Sequence, residues 1–271
     1  MRGILKKMFT ELGEPVQYQL PIGDHAFPLN DCLGEKLKLT YTGSISCVYC
    51  ARKSSKSFGQ GYCYPCFKKL ARCDMCIIKP EQCHYAKGTC REPEWGEANC
   101  MRDHYVYLAN SSGIKVGITR ETQIPHRWID QGAIQAVPIL KVASRHLSGL
   151  VEILFAEKIP DKTNWQAMLK GQNERLNMEG FRDQLLEQCS ADIVQLQEQF
   201  GTEKLTILTA DQAINIEYPV LEYPKKIKSL NFDKEAEINA VLKGIKGQYL
   251  IFDTGVINIR KYSGYEIDLA S

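Results

Sequence analysis

No apolar run in the 271 residues approaches the ~20 that a membrane-spanning helix needs, so a helical membrane protein is excluded and no membrane partner is expected. An excess of charge of either sign is also missing. The 34 Lys and Arg against 32 Asp and Glu leave a formal charge of +2, so no global field draws the chain to a polyanion. Met1–Phe9 is short and already basic, without the apolar centre of an export signal, and a cytoplasmic protein is expected. One absence is local. Between Ala51 and Cys73 there is no Asp or Glu, while Arg52, Lys53, Lys56, Lys68, Lys69 and Arg72 all fall there, interleaved with Phe58, Tyr62, Tyr64 and Phe67. Cations for phosphates and ring faces for bases are what a nucleic-acid surface uses. The bland reading is that the cations offset thiolate charge.

Cysteine, by contrast, is abundant. Nine of the eleven lie between Cys47 and Cys100. In a reducing compartment, clustered Cys-x-x-Cys pairs are metal ligands rather than disulfides. Cys47-Val-Tyr-Cys50 and Cys63-Tyr-Pro-Cys66 are two such knuckles separated by twelve residues, a spacing that lets two tight turns close one tetrahedral thiolate set around structural zinc. Five thiols follow, Cys73, Cys76, Cys83, Cys90 and Cys100, one too many for a single closed site. Spacing favours Cys73 and Cys76 with Cys83 and Cys90; the alternative is Cys76, Cys83, Cys90 and Cys100. About two structural zinc ions are expected from tetrathiolate stoichiometry. An iron–sulfur cluster would use the same ligands. Cys32 and Cys189 read as buried thiols.

The two ends read as strands. Lys36-Leu-Lys-Leu-Thr-Tyr41 alternates, as do Leu205–Leu208 and Ile214–Tyr218, and Asp253-Thr-Gly255 reads as a hairpin turn between Tyr249–Phe252 and Val256–Ile259. Thr42-Gly-Ser-Ile45 is echoed by Thr254-Gly-Val-Ile257, which suggests that both ends pair into one small β-barrel. Residues 172–200 carry apolar residues at helical spacing among many acids and read as a helix.

Between these lies a hairpin signal: Tyr105–Ala109 and Ile114–Ile118 flank Asn110-Ser-Ser-Gly113. Arg127 opens the next stretch, Gly132 is placed to end a short helix, and Glu152 sits in Gly149-Leu-Val-Glu152-Ile-Leu-Phe, with Leu147, Leu150, Val151, Leu154 and Phe155 on one stripe and Glu152 off it. Asn164 follows twelve residues later. This ordered set resembles the GIY-YIG nuclease domain over residues 104–164. Val106-Tyr107 and Val116-Gly117 match parts of the two signatures. Tyr105 stands where Gly is usual, Lys115 where the second tyrosine is usual, and Gln131 where a His or Tyr is usual. The resemblance implies that Tyr107, Lys115, Arg127, Glu152 and Asn164 form a catalytic set, with Mg²⁺ held at Glu152 and Gly117 leaving room for a phosphate or water beside Tyr107. That chemistry is coherent: an arginine fork clamps phosphate oxygens, and one carboxylate can hold Mg²⁺ with substrate and water completing its shell. Residues 76–100 also resemble an uncharacterised, largely bacterial zinc-binding family of unknown function, whose pattern implies the set Cys76, Cys83, Cys90 and Cys100.

The expected architecture is thus α+β: an N-terminal β segment (1–46), a Cys-rich zinc-ribbon segment (47–103), a GIY-YIG-like central sheet with helices and a following helix (104–200), and a C-terminal β segment (201–271), the two end segments sharing a barrel. The expected function is nucleic-acid binding, to DNA or RNA, with metal-dependent phosphodiester cleavage as the enzymatic version. A non-catalytic zinc-stabilised binding or adaptor protein is the alternative.

Overall fold

The structure, a computed structural model, describes residues 1–159 and 164–270. Residues 160–163, inside the stretch that resembles a nuclease domain, lie outside the described residues. Among the described residues the chain is mixed α and β, built on three antiparallel sheets.

The N-terminal strands are β1 (Arg2–Ile4), β2 (Phe9–Glu11), β3 (Gln17–Ile22), β4 (His25–Pro28) and β5 (Lys36–Ile45). In β5 the Lys-Leu alternation places Leu37 and Leu39 inside and Lys36 and Lys38 outside, as period-2 patterning requires. The Cys-rich segment holds α1 (Tyr64–Lys69), a run of single 3₁₀ turns, and α2 (Pro93–Asn99). The centre comprises β6 (His104–Asn110), β7 (Ile114–Arg120), α3 (His126–Asp130), β8 (Gln135–Val142) and α4 (Arg145–Ala156). After it come α5 (Trp165–Leu169), α6 (Met178–Gln188), α7 (Ser190–Phe200), β9 (Leu205–Ile207) and β10 (Ile214–Asn215). The C-terminal strands are β11 (Glu237–Lys246), β12 (Tyr249–Phe252), β13 (Gly255–Asn258) and β14 (Tyr265–Ala270).

Both chain ends do share one sheet, in the order β1-β14-β5-β11-β12-β13. Among the described residues it is not the closed barrel that the Thr-Gly-x-Ile echo suggested. Its two edges are covered instead of joined, the other way of protecting unpaired backbone groups. Beside β1, Leu5 bridges to Ile22, which leads into the separate sheet β2-β3-β4. Beside β13, Ser229 bridges to Val256. Strands β9 and β10, although late in sequence, pair with β8 in the central sheet.

The central sheet runs β10-β8-β6-β7, with β6 flanked by β7 and β8. Val106 and Leu108 of β6 face a core made with Leu147, Val151 and Phe155 of α4 and with α6 and α7. Tyr107 and Ala109, on the opposite face, join the large core of the terminal sheets together with Trp128 and Ile129. Burial on both faces explains why β6 reads as a continuous apolar run rather than an alternation. The acidic stretch 172–200 folds as two helices, not one, because α6 ends at Cys189, where α7 starts afresh. In α4 the Ser144 hydroxyl accepts from the Leu147 amide as an N-cap, and the expected apolar stripe faces the sheet. Gly132 has φ +69 and ends α3, a conformation that glycine adopts without strain.

Candidate metal centre and the Tyr107 cluster

The first two knuckles converge. The sulfurs of Cys47, Cys50, Cys63 and Cys66 all lie within 4.8 Å of one another, and Cys50 Sγ is 3.7 Å from Cys63 Sγ. With Zn–S bonds of about 2.3 Å, a tetrahedral ZnS₄ centre has S···S edges of ~3.8 Å, so these four residues fit one structural zinc ion. Tight local structure holds them. Cys47 follows the last residues of β5, and Cys63 and Cys66 bracket the start of α1, where Pro65 suits the first turn. Burial works against ionising Cys47, but amides of Cys50, Cys63 and Tyr49 outweigh it and bring its pKa down to about 6. Cys66 is pushed up to about 12, by loss of solvent and by the neighbouring thiols.

The second cluster is looser. Cys76, Cys83, Cys90 and Cys100 line one cavity of about 10 Å³, while Cys73 is not among its lining residues. The family pattern implied these four and spacing alone the set with Cys73, but among the described residues the four sulfurs do not form a compact ligand group. The compact ligand group there is Asp74, Cys76 and His84, within 4.8 Å of one another. Asp74 also receives Arg91 Nε at 2.6 Å and lies 3.6 Å from His84 Nε2. Burial, the Asp74 charge and the three other thiols push Cys76 up to about 11. The segment is fastened to the central module: a side chain at Gly149 of α4 would meet the Pro80–Glu81 turn at 2.6 Å, and Arg145 donates to the Ile77 carbonyl. Asp74 and His84 were not expected as ligands; nothing in Cys spacing signals a mixed O, N and S set.

Tyr107, Arg127 and Glu152 share one neighbourhood. Tyr107 is fully buried, and its hydroxyl donates to Gln131 Oε1 at 3.3 Å. Burial raises the phenol's pKa; the Arg127 guanidinium, bonded to it, and Gln131 oppose the shift, and the Glu152 charge adds to it. Arg127 and Glu152 are each half-buried, from α3 and α4 respectively. The space over Gly117 is filled by Tyr107 itself, not left for a phosphate or water. Lys115 is buried in β7 beside Ala109. Asn164 stands apart in role: its side-chain oxygen accepts from the Gln166 and Ala167 amides and caps α5.

The six cations of the ribbon, Arg52, Lys53, Lys56, Lys68, Lys69 and Arg72, are all exposed, and none takes part in an ion pair among the described residues. Tyr49 and Tyr64 are each 55% exposed beside them. Arg72 lies between two rings, 5.6 Å from the centre of Tyr49 and 5.8 Å from that of Trp95. No helix is long and apolar enough to cross a membrane among the described residues.

A family model described as a protein of unknown function (DUF2797) matches residues 34–267, most of the chain, and the chain therefore belongs to that family. No curated protein and no solved structure matches it.

Proposed function

We propose that this member of the DUF2797 family is a zinc-stabilised nucleic-acid-binding protein that engages its ligand through the ribbon. The observation that carries this reading is the surface of six exposed cations that make no ion pair among the described residues, with solvent-facing tyrosines beside them. Exposed Lys and Arg bind phosphate with release of counterions, and ring faces stack on bases of any sequence. A near-neutral chain with such a patch concentrates its attraction on one face. The zinc at Cys47, Cys50, Cys63 and Cys66 holds that face rigid, and a second zinc belongs to the cavity of Cys76, Cys83, Cys90 and Cys100. Titrating labelled single- and double-stranded DNA and RNA by fluorescence anisotropy tests the reading. Binding that weakens steeply with salt supports it; no binding of any of the four overturns it.

A second reading, metal-dependent phosphodiester cleavage, is favoured by one observation: Tyr107, Arg127 and Glu152 lie together. The strand order β7-β6-β8, with a helix between β7 and β8 and another after β8, supports a GIY-YIG-like centre. In that reading Arg127 would clamp a phosphate and Glu152 would hold Mg²⁺, which would neutralise charge on the phosphate. Lys115 would line the same sheet, and Asn164 would act through its cap of α5. Two features make binding the primary reading: the Tyr107 hydroxyl is sealed from solvent, and its partners are Arg127 and Gln131, neither of which takes up a proton from it near neutral pH. Mg²⁺-dependent cleavage that Glu152→Ala abolishes, with oligonucleotide affinity kept, would promote the second reading.

A further inference from the structure

A cavity of about 200 Å³ opens where three distant segments meet: Lys6 and Lys7 from the N-terminus, Val48 and Gln60 from the ribbon, and Arg260 and Ser263 from the C-terminal turn. Three of its six lining residues are cations and none is a carboxylate. Lys7 is already engaged with Asp130 at 2.8 Å. Lys6 is exposed and has no ion pair among the described residues. Arg260 is half-buried, and its Nε donates to Gln60 Oε1 at 2.6 Å. Its two terminal nitrogens make no hydrogen bond among the described residues, and they are not sealed from solvent. Loss of solvent, together with the like charge of Arg127, pushes the Arg260 pKa down, and Asp130 only partly offsets this. A guanidinium fork held by Gln60 in the lining of an open cavity, with the like charge of a second arginine acting on it, gains most from an anion that can take both free nitrogens.

We infer that this cavity, floored by Arg260 and flanked by Lys6, is a phosphate seat that receives one backbone phosphate of a strand bound to the ribbon. The inference rests on the proposed nucleic-acid reading and extends it: the ligand's path passes from the ribbon cations across the ribbon's junction with the terminal segments, toward Arg127. A free phosphate offers the same chemistry, and the test separates the two sources. Val48 and Gln60 belong to the ribbon that carries the proposed zinc site, so the seat is tested in zinc-loaded protein.

The experiment compares wild-type zinc-loaded protein with Arg260→Met and Lys6→Gln. Two probes are used, a fluorescein-labelled single-stranded oligonucleotide followed by anisotropy at several salt concentrations, and inorganic phosphate followed by its effect on thermal unfolding. The seat predicts that Arg260→Met weakens the oligonucleotide by about tenfold, the value of one charge-assisted contact, and lowers the salt slope by ~0.7, one phosphate on a single strand. Lys6→Gln, at an exposed position that folding tolerates, gives a smaller change in the same direction. Oligonucleotide binding by wild type with affinity and slope unchanged in both variants overturns the seat and leaves the ribbon reading standing. If wild type binds no oligonucleotide, the ribbon reading fails; phosphate stabilisation lost in Lys6→Gln then supports an anion seat for free phosphate, and no phosphate effect overturns the seat as well.

Discussion

Tyr107 and Gly117 are directly opposed across the β6–β7 pair, and a methyl group on Gly117 would stand 2.7 Å from the Tyr107 hydroxyl oxygen and 2.8 Å from the ring carbon that bears it. The glycine is therefore a seat for the tyrosine ring, and the two residues form one unit of the core between the central and terminal sheets. Gly117→Ala should cost about 1–3 kcal/mol through overpacking. Most of that cost should disappear when Tyr107 is replaced by Leu, so the pair should be strongly non-additive in urea unfolding. Costs that simply add would show that the ring does not depend on the glycine.

His104 is fully buried and neutral. Loss of solvent, with Arg145 and Arg120 nearby, brings its pKa down to about 4 against its bond to the Arg102 carbonyl. Its ordinary value is about 6.5. As pH falls from 6.5 towards 4 the unfolded chain takes up a proton that the folded one refuses, so stability drops in that window by up to ~3 kcal/mol. His104→Asn should flatten the profile there, measured by chemical unfolding at each pH. An unchanged slope would place the acid sensitivity elsewhere, in the zinc thiolates first.

Lys246 is 1% exposed, with its ammonium 5.4 Å from the ring centres of both Tyr218 and Tyr223. Burial brings its pKa down to about 8. The sign is opposite to that of a paired lysine: the folded state disfavours the charge, so stability is reduced below pH 8 and recovers as pH rises towards 10.5. Lys246→Met should stabilise the protein at pH 7 by ~1–3 kcal/mol, the two rings offsetting part of the desolvation cost. Destabilisation at pH 7 would mean that the tyrosine cage more than compensates.

Zinc should be integral to the ribbon. Cys63→Ser should lower the metal content by about one ion per chain, since a closed tetrathiolate site does not survive loss of a ligand. It should also loosen the contact in which Gly61 packs against Val48. Elemental analysis and hydrogen exchange over residues 47–70 check this. Metal content equal to wild type would remove the site.

Much of this was legible in the sequence where local rules act alone. The Cys47/Cys50 and Cys63/Cys66 knuckles, the β6–β7 hairpin, the Gly132 stop and the apolar stripe of α4 follow from spacing and period. What was not legible depends on distant partners. The burial of Tyr107 depends on Trp128 packing against its ring and on the core it shares with the terminal strands, which no local pattern around Tyr107 signals. The echo that suggested a barrel identified which ends pair, but closure depends on what covers the edges, and Leu5 and Ser229 carry no such signal. The approach of Arg260 to Gln60, across 200 residues, is likewise a property of the fold that no local pattern signals.

The most direct test of the central claim is a charge-removal series on the ribbon. Wild type and the variant Lys53→Gln/Lys56→Gln/Lys68→Gln/Lys69→Gln are titrated with a labelled oligonucleotide between ~50 and ~200 mM salt, with zinc content and unfolding midpoint matched. The account predicts a steep salt dependence in wild type that the variant largely loses, together with most of its affinity. Equal affinity and equal salt slope in the two proteins would contradict it.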